Sequence, residues 1–388
     1  MRIDEVNVYV LTSELEKPFS FSQGKVYQRG SVVVEVTLDN GIVGWGECMC
    51  HGQQAPEISA SIIEYCYKPL LIGESPMNVG VLWERLYNRT RPYGQGGAVI
   101  NALSGVDIAL YDCLGQFLDQ PVYNLLGGSY RDKVEAYATG FYWKDGDRFP
   151  QCWIDEANGY LADGFKGMKL KTGRGVSEDI QNINAVRESL PAGIKLMADF
   201  NCAYGLNEAR KVLDETKEAK LYFYEELLAP ENIDGYCAIR NSTSSNIAGG
   251  ENMLTKFSYV SWMKRGALDI YQPDLCSSGG FTEVKKILAI AESTNNRVIP
   301  HVWGSGIGLM AALQLLAIVP KSPISLMSEE PLLEFDQSLH PFRSQLIKER
   351  IALDEDGFVH ISDAPGLGIT VNFDVIKEYG TKMTKMNV

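Results

Sequence analysis

The chain has 388 residues, a formal net charge of −13 and a pI near 4.9. This length exceeds what one ordinary core needs, and it predicts two domains or one large barrel with an attachment. An acidic surface repels nucleic acid and anionic membranes, so neither is an expected partner. The N-terminal residues alternate like a strand and lack the basic and apolar regions of a signal peptide, and no apolar run reaches the ~18 residues of a membrane span. We therefore expect a cytoplasmic protein whose eight cysteines are free thiols.

The beginning of the chain predicts an α+β domain. Three strands are predicted over residues 2–11, 31–38 and 42–47. Asp39-Asn40-Gly41 supplies the turn between the second strand and the third. Residues 55–127 have helical periodicity, most clearly over 98–118. We predict a first domain over residues 1–130, with residues from about 345–388 packing back against it.

After this domain, short apolar strands alternate with amphipathic helices. The candidate strands span residues 134–139, 167–171, 195–200, 222–225, 247–250, 268–272, 297–300 and 324–327. The helices between them include residues 177–189, 207–219, 281–292 and 307–318. Repeated βα units imply a parallel sheet, and eight strands in about two hundred residues favour a closed α/β barrel over residues 131–344.

Titratable side chains fall at the carboxyl ends of six successive candidate strands. They are Lys169 and Lys171, Asp199, Glu225, Glu251, Asp274 and His301. The steps from the second lysine onward are 28, 26, 26, 23 and 27 residues, which is roughly one βα repeat each time. Taken alone, each of these acids is more simply explained as the N-cap of the helix that follows its strand. Because the strands of a barrel end on one face, six in register predict a shared active-site cavity.

Asp199, Glu225 and Glu251 are the expected metal ligands. Three carboxylates on adjacent strands form a hard-oxygen site that suits Mg²⁺, or alternatively Mn²⁺. Without a cation they would repel one another and raise each other's pKa. A bound cation would remove this repulsion and leave coordination positions for a substrate carboxylate.

The remaining members of the set are candidate acid–base residues. Lys169 and Lys171 are two apart on one strand, so both side chains point to the same side. We expect their mutual repulsion and the nearby metal to lower the pKa of at least one of them, making it a base. Asp274 would fix the tautomer of His301 and favour its protonated form, on the side of the metal opposite Lys171. The simpler alternatives are surface lysines and a structural histidine. His51, in a Gly-containing loop, is a further candidate for substrate contact.

This set of residues resembles the mandelate racemase subgroup of the enolase superfamily. Residues 101–128 are similar to that family's helical segment before the barrel. The resemblance implies a (β/α)7β-type TIM-like barrel, an N-terminal α+β capping domain over its mouth, and a Lys or His base that works with Mg²⁺ on an enediolate. It also implies that the loops around residues 19–29 and 48–56 close the site. Glu334 matches a family acid that hydrogen-bonds the substrate carboxylate, the alternative being a salt-bridge carboxylate. Asn201 is a further candidate for substrate binding.

Several stretches are similar to one group within that family, the galactarolactone cycloisomerases. They are residues 134–140, 269–283, 298–308, 332–343 and 365–369. That likeness implies opening of a sugar-diacid lactone, by α-proton abstraction and β-elimination, to a 3-deoxy-2-keto-hexarate. Acid-sugar dehydratases share the same catalytic set, and a racemase or epimerase is a third outcome. The expected partner is a small acid sugar or its lactone, and related enzymes are homo-oligomers.

Two readings from other classes stay open at this point. A Schiff-base aldolase on a similar barrel would need one lysine in an apolar pocket, whereas here two lysines face three carboxylates. A ligand-binding or structural barrel would retain metal without turning over any acid sugar.

Overall fold

The computed structural model describes residues 1–50, 53, 55–323 and 325–384. The N-terminal part includes the strands β1 (Ile3–Phe21), β2 (Gly24–Leu38) and β3 (Val43–Cys48). It also includes the helices α1 (Pro56–Ile62), α2 (Lys68–Leu71), α3 (Val79–Thr90), α4 (Ala98–Leu118) and α5 (Val122–Leu125). The three strands form an antiparallel sheet in the order β1-β2-β3. The predicted strands are confirmed, and β1 runs ten residues beyond its predicted end because the β1–β2 hairpin continues as far as Phe21.

Helix α4 is buried between the N-terminal sheet and the barrel, and it begins and ends where the periodicity predicts. By length and composition alone it could cross a membrane, but 89% of its apolar window is buried inside the protein. It lies against β3 at two glycines. A Cβ added to Gly44 would come within 2.4 Å of the Ala109 carbonyl oxygen, and one added to Gly46 within 2.0 Å of the Gly105 carbonyl oxygen. This close approach fixes the position of the end of β3.

Among the described residues, eight parallel strands alternate with seven helices, which confirms the (β/α)7β arrangement. The strands are β4 (Lys133–Thr139), β5 (Gly167–Lys171), β6 (Lys195–Asp199), β7 (Tyr224–Glu225), β8 (Ile247–Gly249), β9 (Ile270–Tyr271), β10 (Arg297–Val298) and β11 (Leu333–Asp336). The helices are α6 (Gln151–Ala162), α7 (Val176–Ser189), α8 (Leu206–Thr216), α9 (Ile233–Arg240), α10 (Thr255–Arg265), α11 (Gly280–Ser293) and α12 (Gly306–Ile318). The strands form a curled sheet in the order β10-β9-β8-β7-β6-β5-β4-β11.

The predicted position of the eighth strand is wrong. Residue 324 of the predicted segment lies outside the described residues, and residues 325–327 form a bend and a turn in which Leu326 and Met327 are exposed. The eighth strand is β11, which pairs in parallel with β4. The error has a physical reason: a run of apolar residues in an exposed turn has the same composition as a short buried strand.

The chain beyond the barrel contacts both parts of the molecule. It contains α13 (Pro341–Gln345), β12 (Phe358–His360), α14 (Phe373–Tyr379) and β13 (Gly380–Lys382). Strand β12 pairs with β4, whereas β13 pairs with β1. The predicted packing of this segment against the N-terminal domain, and the boundaries near residues 130 and 344, stay predictions.

We expect Gly46→Ala to destabilise the protein by about 1–3 kcal/mol or more, because the added Cβ meets backbone that cannot move without shifting α4. Gly80→Ala is the matched control. Gly80 lies at an exposed position of α3 with nothing within 4 Å of an added Cβ, so this change should be neutral or stabilising by up to ~1 kcal/mol. Urea unfolding would measure both. Equal unfolding midpoints for Gly46→Ala and wild type would contradict the close packing of β3 on α4.

Candidate active site

The parallel ladder brings the predicted polar side chains to one end of the barrel. Lys171 at the end of β5 is the register partner of Asp199 at the end of β6, and Asp199 is the partner of Glu225 at the end of β7. Glu251 and His301 come two and three residues after β8 and β10, respectively. Because each side chain follows its strand at nearly the same height, the residues converge as the spacing predicts.

Asp199, Glu225 and Glu251 form a compact group of carboxylates. Each offers one oxygen, and the three oxygens lie within 4.8 Å of one another. Asp199 and Glu225 are at most 1% exposed. Burial raises the pKa of Glu225 to about 8, since the neighbouring carboxylates add to its effect and offset the lowering by Lys169. Three carboxylate oxygens at the ends of separate strands fit a hard divalent cation. These residues can therefore hold the predicted metal ion.

Both lysines of β5 are buried and paired with carboxylates. Lys169 Nζ lies 2.7 Å from Glu225 Oε1 and 2.7 Å from Glu334 Oε1. Lys171 Nζ lies 2.5 Å from Asp199 Oδ2. Burial lowers the pKa of each lysine, but these carboxylates raise it by more, so both pKa values lie above the ordinary value. In this arrangement both pKa values are raised rather than lowered, because attraction to the carboxylates exceeds the repulsion between the lysines. The expected lowering of a lysine pKa beside a bound metal stays a prediction.

His301 and Asp274 form a buried hydrogen-bonded pair. His301 Nδ1 lies 2.8 Å from Asp274 Oδ2, and its Nε2 lies 3.1 Å from Glu251 Oε2. The backbone N–H of Cys276 donates to Asp274 Oδ1 at 2.7 Å and orients that carboxylate. Burial lowers the pKa of His301, but the carboxylates around it, chiefly Glu251, raise it to about 10. The imidazolium form is thus favoured, and its Nε2 faces the group of metal ligands.

A cavity of about 320 Å³ opens onto these groups. Lys171, Glu251 and His301 all line it. The other lining residues are Phe21, Gln23, Val26, Gln53, Tyr142, Asn201, Cys202, Glu226, Pro230, Asn252 and Trp303. The two candidate acid–base residues therefore share one cavity with a candidate metal ligand.

The N-terminal domain forms part of the cavity wall. In the turn between β1 and β2, Ser22 Oγ donates to the Asn201 carbonyl oxygen at 2.9 Å, and Gln23 Nε2 donates to the same oxygen at 2.6 Å. These contacts place the turn of the β1–β2 hairpin against the barrel. The expected closing of the site by the loops around residues 19–29 and 48–56 stays a prediction. His51 lies outside the described residues, so the predicted contact with substrate stays a prediction.

Asn201 and Glu334, the other two candidates for substrate binding, lie in different surroundings. Asn201 lines the cavity, with Oδ1 3.5 Å from Lys171 Nζ. Glu334 is fully buried, accepts hydrogen bonds from Thr139 Oγ1 at 2.7 Å and Val302 N at 3.1 Å, and pairs with Lys169. Glu334 therefore forms the salt bridge that was the simpler alternative, and contact of either residue with substrate stays a prediction.

Sequence reasoning missed several residues of the cavity wall. Glu226 and Asn252 directly follow predicted metal ligands, and Asn252 Nδ2 donates to Glu226 Oε1 at 2.8 Å. Their adjacency to the ligands was a usable signal. Tyr142 and Trp303 are joined by a 2.7 Å hydrogen bond from the indole Nε1 to the phenol oxygen. Nothing in their sequence surroundings distinguishes these two aromatic residues from core residues.

Several enzymes of known activity are similar to this chain in sequence or in structure. The D-galactarolactone cycloisomerase of Agrobacterium fabrum is 38% identical over 98% of this chain and 99% of its own length. The arabinonate dehydratase of Saccharolobus solfataricus is 33% identical over 90% of this chain and 91% of its own length. The crystal structure of the 3,6-anhydro-D-galactonate cycloisomerase from Zobellia galactanivorans superposes with a TM-score of 0.88 and 32% identity, covering 98% of this chain and 100% of that one.

Family models match both parts of the chain. Residues 5–127 match the N-terminal domain of the mandelate racemase / muconate lactonizing enzyme family, and residues 153–375 match the enolase C-terminal domain-like family. Together these matches cover most of the sequence, and they confirm the expectation of an enzyme with this barrel. The chain belongs to the mandelate racemase and muconate lactonizing enzyme family of the enolase superfamily.

Proposed function

We propose that this protein opens a sugar-diacid lactone of the galactaro-1,4-lactone type to a 3-deoxy-2-keto-hexarate, in a reaction that depends on Mg²⁺. The observation that carries the proposal is that Lys171 and His301 line one cavity together with Glu251, whose oxygen lies within 4.8 Å of those of Asp199 and Glu225. The similarity to the A. fabrum cycloisomerase along nearly the whole chain supports the choice of substrate.

The group of carboxylates favours magnesium among the common divalent cations. All of its donor atoms are oxygens, which suit Mg²⁺ first and Mn²⁺ next. A cation held by Asp199, Glu225 and Glu251 would act as a Lewis acid on the substrate carboxylate and offset the negative charge of the enediolate. Lys169, held between Glu225 and Glu334, places a fixed positive charge beside the same region.

The first chemical step breaks the C–H bond next to the substrate carboxylate. Lys171 Nζ or His301 Nε2, in its uncharged form, takes the proton, and the electron pair of the C–H bond enters the enediolate. A cation held by Asp199 and Glu251 would compete for the carboxylates that pair with these two groups and favour their charged forms. In the second step this pair forms a carbon–carbon double bond as the bond to the β-oxygen breaks. In a lactone that oxygen leaves as a carboxylate, the ring opens, and the resulting enol tautomerises to the 2-keto product. Atoms are conserved, so the product is an isomer of the substrate.

A dehydratase acting on an open acid sugar is the second candidate function. Its leaving group is a hydroxyl, which needs a proton from a general acid. His301, with its pKa raised to about 10, holds such a proton at neutral pH. The similarity to the arabinonate dehydratase supports this alternative. A Schiff-base aldolase would need one lysine in an apolar pocket, whereas both lysines of β5 are paired with carboxylates.

Proton NMR in D₂O would test the proposal, using the purified protein with Mg²⁺ and D-galactaro-1,4-lactone, galactarate or glucarate. We expect the lactone to give a 3-deoxy-2-keto diacid. An inert lactone beside an open acid sugar that loses water would move the function to dehydratase. Exchange of the α-proton alone would indicate a racemase or epimerase.

Lys171→Ala and His301→Asn should distinguish the base from the opposite acid. Both variants should fold, with circular dichroism and thermal unfolding as controls. The variant that lacks the base should lose exchange of the α-proton for deuterium by about 10²–10⁴-fold, which is the usual contribution of a positioned base. Full activity of both variants would contradict the assignment of either residue.

Glu251→Gln should weaken Mg²⁺ binding measured by calorimetry. The affinity for Mg²⁺ should fall by at least the roughly 10–100-fold that is typical when a residue hydrogen-bonded to a metal ligand is removed, because this change removes a ligand itself. Glu226→Gln is the matched control, because Glu226 lines the same cavity but lies outside the predicted ligand set. Its effect on Mg²⁺ affinity should be smaller. Turnover that survives exhaustive chelation would remove the metal from the mechanism.

A further inference from the structure

A buried carboxylate of the N-terminal domain contacts the barrel at the segment that follows His301 in the chain. Glu47 lies near the end of β3 and is 2% exposed. Its oxygens accept hydrogen bonds from the Ser305 backbone N–H at 2.9 and 3.0 Å, from Ser305 Oγ at 2.6 Å and from the Gly308 N–H at 2.8 Å. Ser31 on β2 donates to Glu47 Oε1 at 2.7 Å and orients the carboxylate from its own domain.

These contacts lie at the amino end of α12, where backbone N–H groups lack partners within the helix. Such an end favours a negative charge, because the free N–H groups and the helix dipole both attract it. The first turn of α12, all of it described, contains no acidic side chain of its own. Glu47 therefore supplies from another domain the acidic side chain that this helix lacks. Burial raises the pKa of Glu47, whereas the hydrogen bonds that its oxygens accept from Ser305, Ser31 and Gly308 favour the ionised form.

The segment that Glu47 holds is the continuation of the loop that carries His301. Residues 301–305 are the last part of the loop that joins β10 to α12. At its beginning the Val302 N–H donates to Glu334 of β11 at 3.1 Å. In its middle the Trp303 ring lies 4.4 Å from the guanidinium of Arg29, which is carried by β2. The loop is thus fixed to the barrel at one end and to the N-terminal domain at its middle and far end.

We infer that Glu47 is a positioning residue for His301, an inference that rests on the acid–base role of His301 in the proposed function. Glu47 acts through Ser305 and the loop, and it keeps His301 Nε2 directed at the group of metal ligands. Lys171 is carried by β5, a different element. The N-terminal domain would therefore govern proton transfer on the His301 side of the cavity, while the barrel itself fixes the Lys171 side.

Glu47→Gln tests this in the full-length, Mg²⁺-loaded protein. Glutamine keeps the shape of the side chain but replaces one acceptor oxygen with an NH₂ group that faces N–H donors. Turnover (kcat) of the galactaro-1,4-lactone should fall by up to about 100-fold, as expected when a catalytic group is misplaced by about 1 Å. The affinity for Mg²⁺ should not change, because its predicted ligands follow β6, β7 and β8.

Asp112→Asn is the matched control for a general loss of stability. Asp112 is a buried carboxylate of α4 that accepts the backbone N–H groups of Trp45 and Leu367, each at 2.8 Å. This variant should lower the melting temperature to a similar extent and leave kcat unchanged. Equal losses of kcat in the two variants, or a parallel loss of Mg²⁺ affinity in Glu47→Gln, would overturn the inference.

Histidine side-chain NMR gives a readout that needs no substrate. The chain has four histidines, so the His301 signals can be assigned by their absence from His301→Asn. They should shift in Glu47→Gln and stay in place in Asp112→Asn. If wild type turns over no acid sugar, the proposed function fails, whereas the NMR result still decides the role of Glu47. Unshifted His301 signals would overturn that role. Should Glu47→Gln fail to fold, Ser305→Ala, which removes the hydroxyl contact alone, takes its place with the same readouts.

Discussion

The cluster of acidic side chains at one end of the barrel is the constraint on which the rest of the site depends. Among the described residues, six carboxyl groups meet three basic side chains there, so the acids outnumber the bases by three. The acids are Asp199, Glu225, Glu226, Glu251, Asp274 and Glu334, and the cations are Lys169, Lys171 and His301. Buried charges that lack partners are strongly destabilising, so each cation is already paired with at least one acid. A divalent cation held at this end of the fold would offset the remaining excess of acids.

The pKa shifts of the site follow from this balance. Burial and neighbouring acids raise the pKa of Glu226 well above its ordinary value. Glu334, equally buried, has its pKa lowered to about 2, because Lys169 and His301 more than offset the effect of burial. The pKa values of two carboxyl groups at the same end of the barrel thus shift in opposite directions, according to the charge of the nearest partners. The pairing pattern, rather than burial alone, separates groups that bind protons from groups that stay ionised.

The candidate site could be predicted from the sequence because its residues occur at a regular spacing. Parallel strands end on one face, so Asp199, Glu225 and Glu251 meet whatever the details of packing. The lysine pKa values could not be predicted in this way. Lys169 and Lys171 are neighbours in sequence, whereas the carboxylates that dominate their pKa values belong to other strands. The contact of Glu47 with Ser305 joins residues 258 positions apart and depends on how two domains dock. No local pattern encodes such a contact.

Substrate specificity within this family would arise away from the strand ends. In the proposed mechanism, proton abstraction requires only the residues at the strand ends, which the barrel ladder fixes. The second half of the reaction depends on which oxygen faces the acid, and therefore on how the rest of the substrate is held. That part of the cavity is bounded by Phe21, Gln23 and Gln53 of the N-terminal domain. These side chains can change without disturbing the buried acids and bases, because they lie outside the barrel ladder. A change of leaving group from hydroxyl to lactone oxygen could thus arise in the N-terminal domain while the catalytic residues of the barrel stay the same.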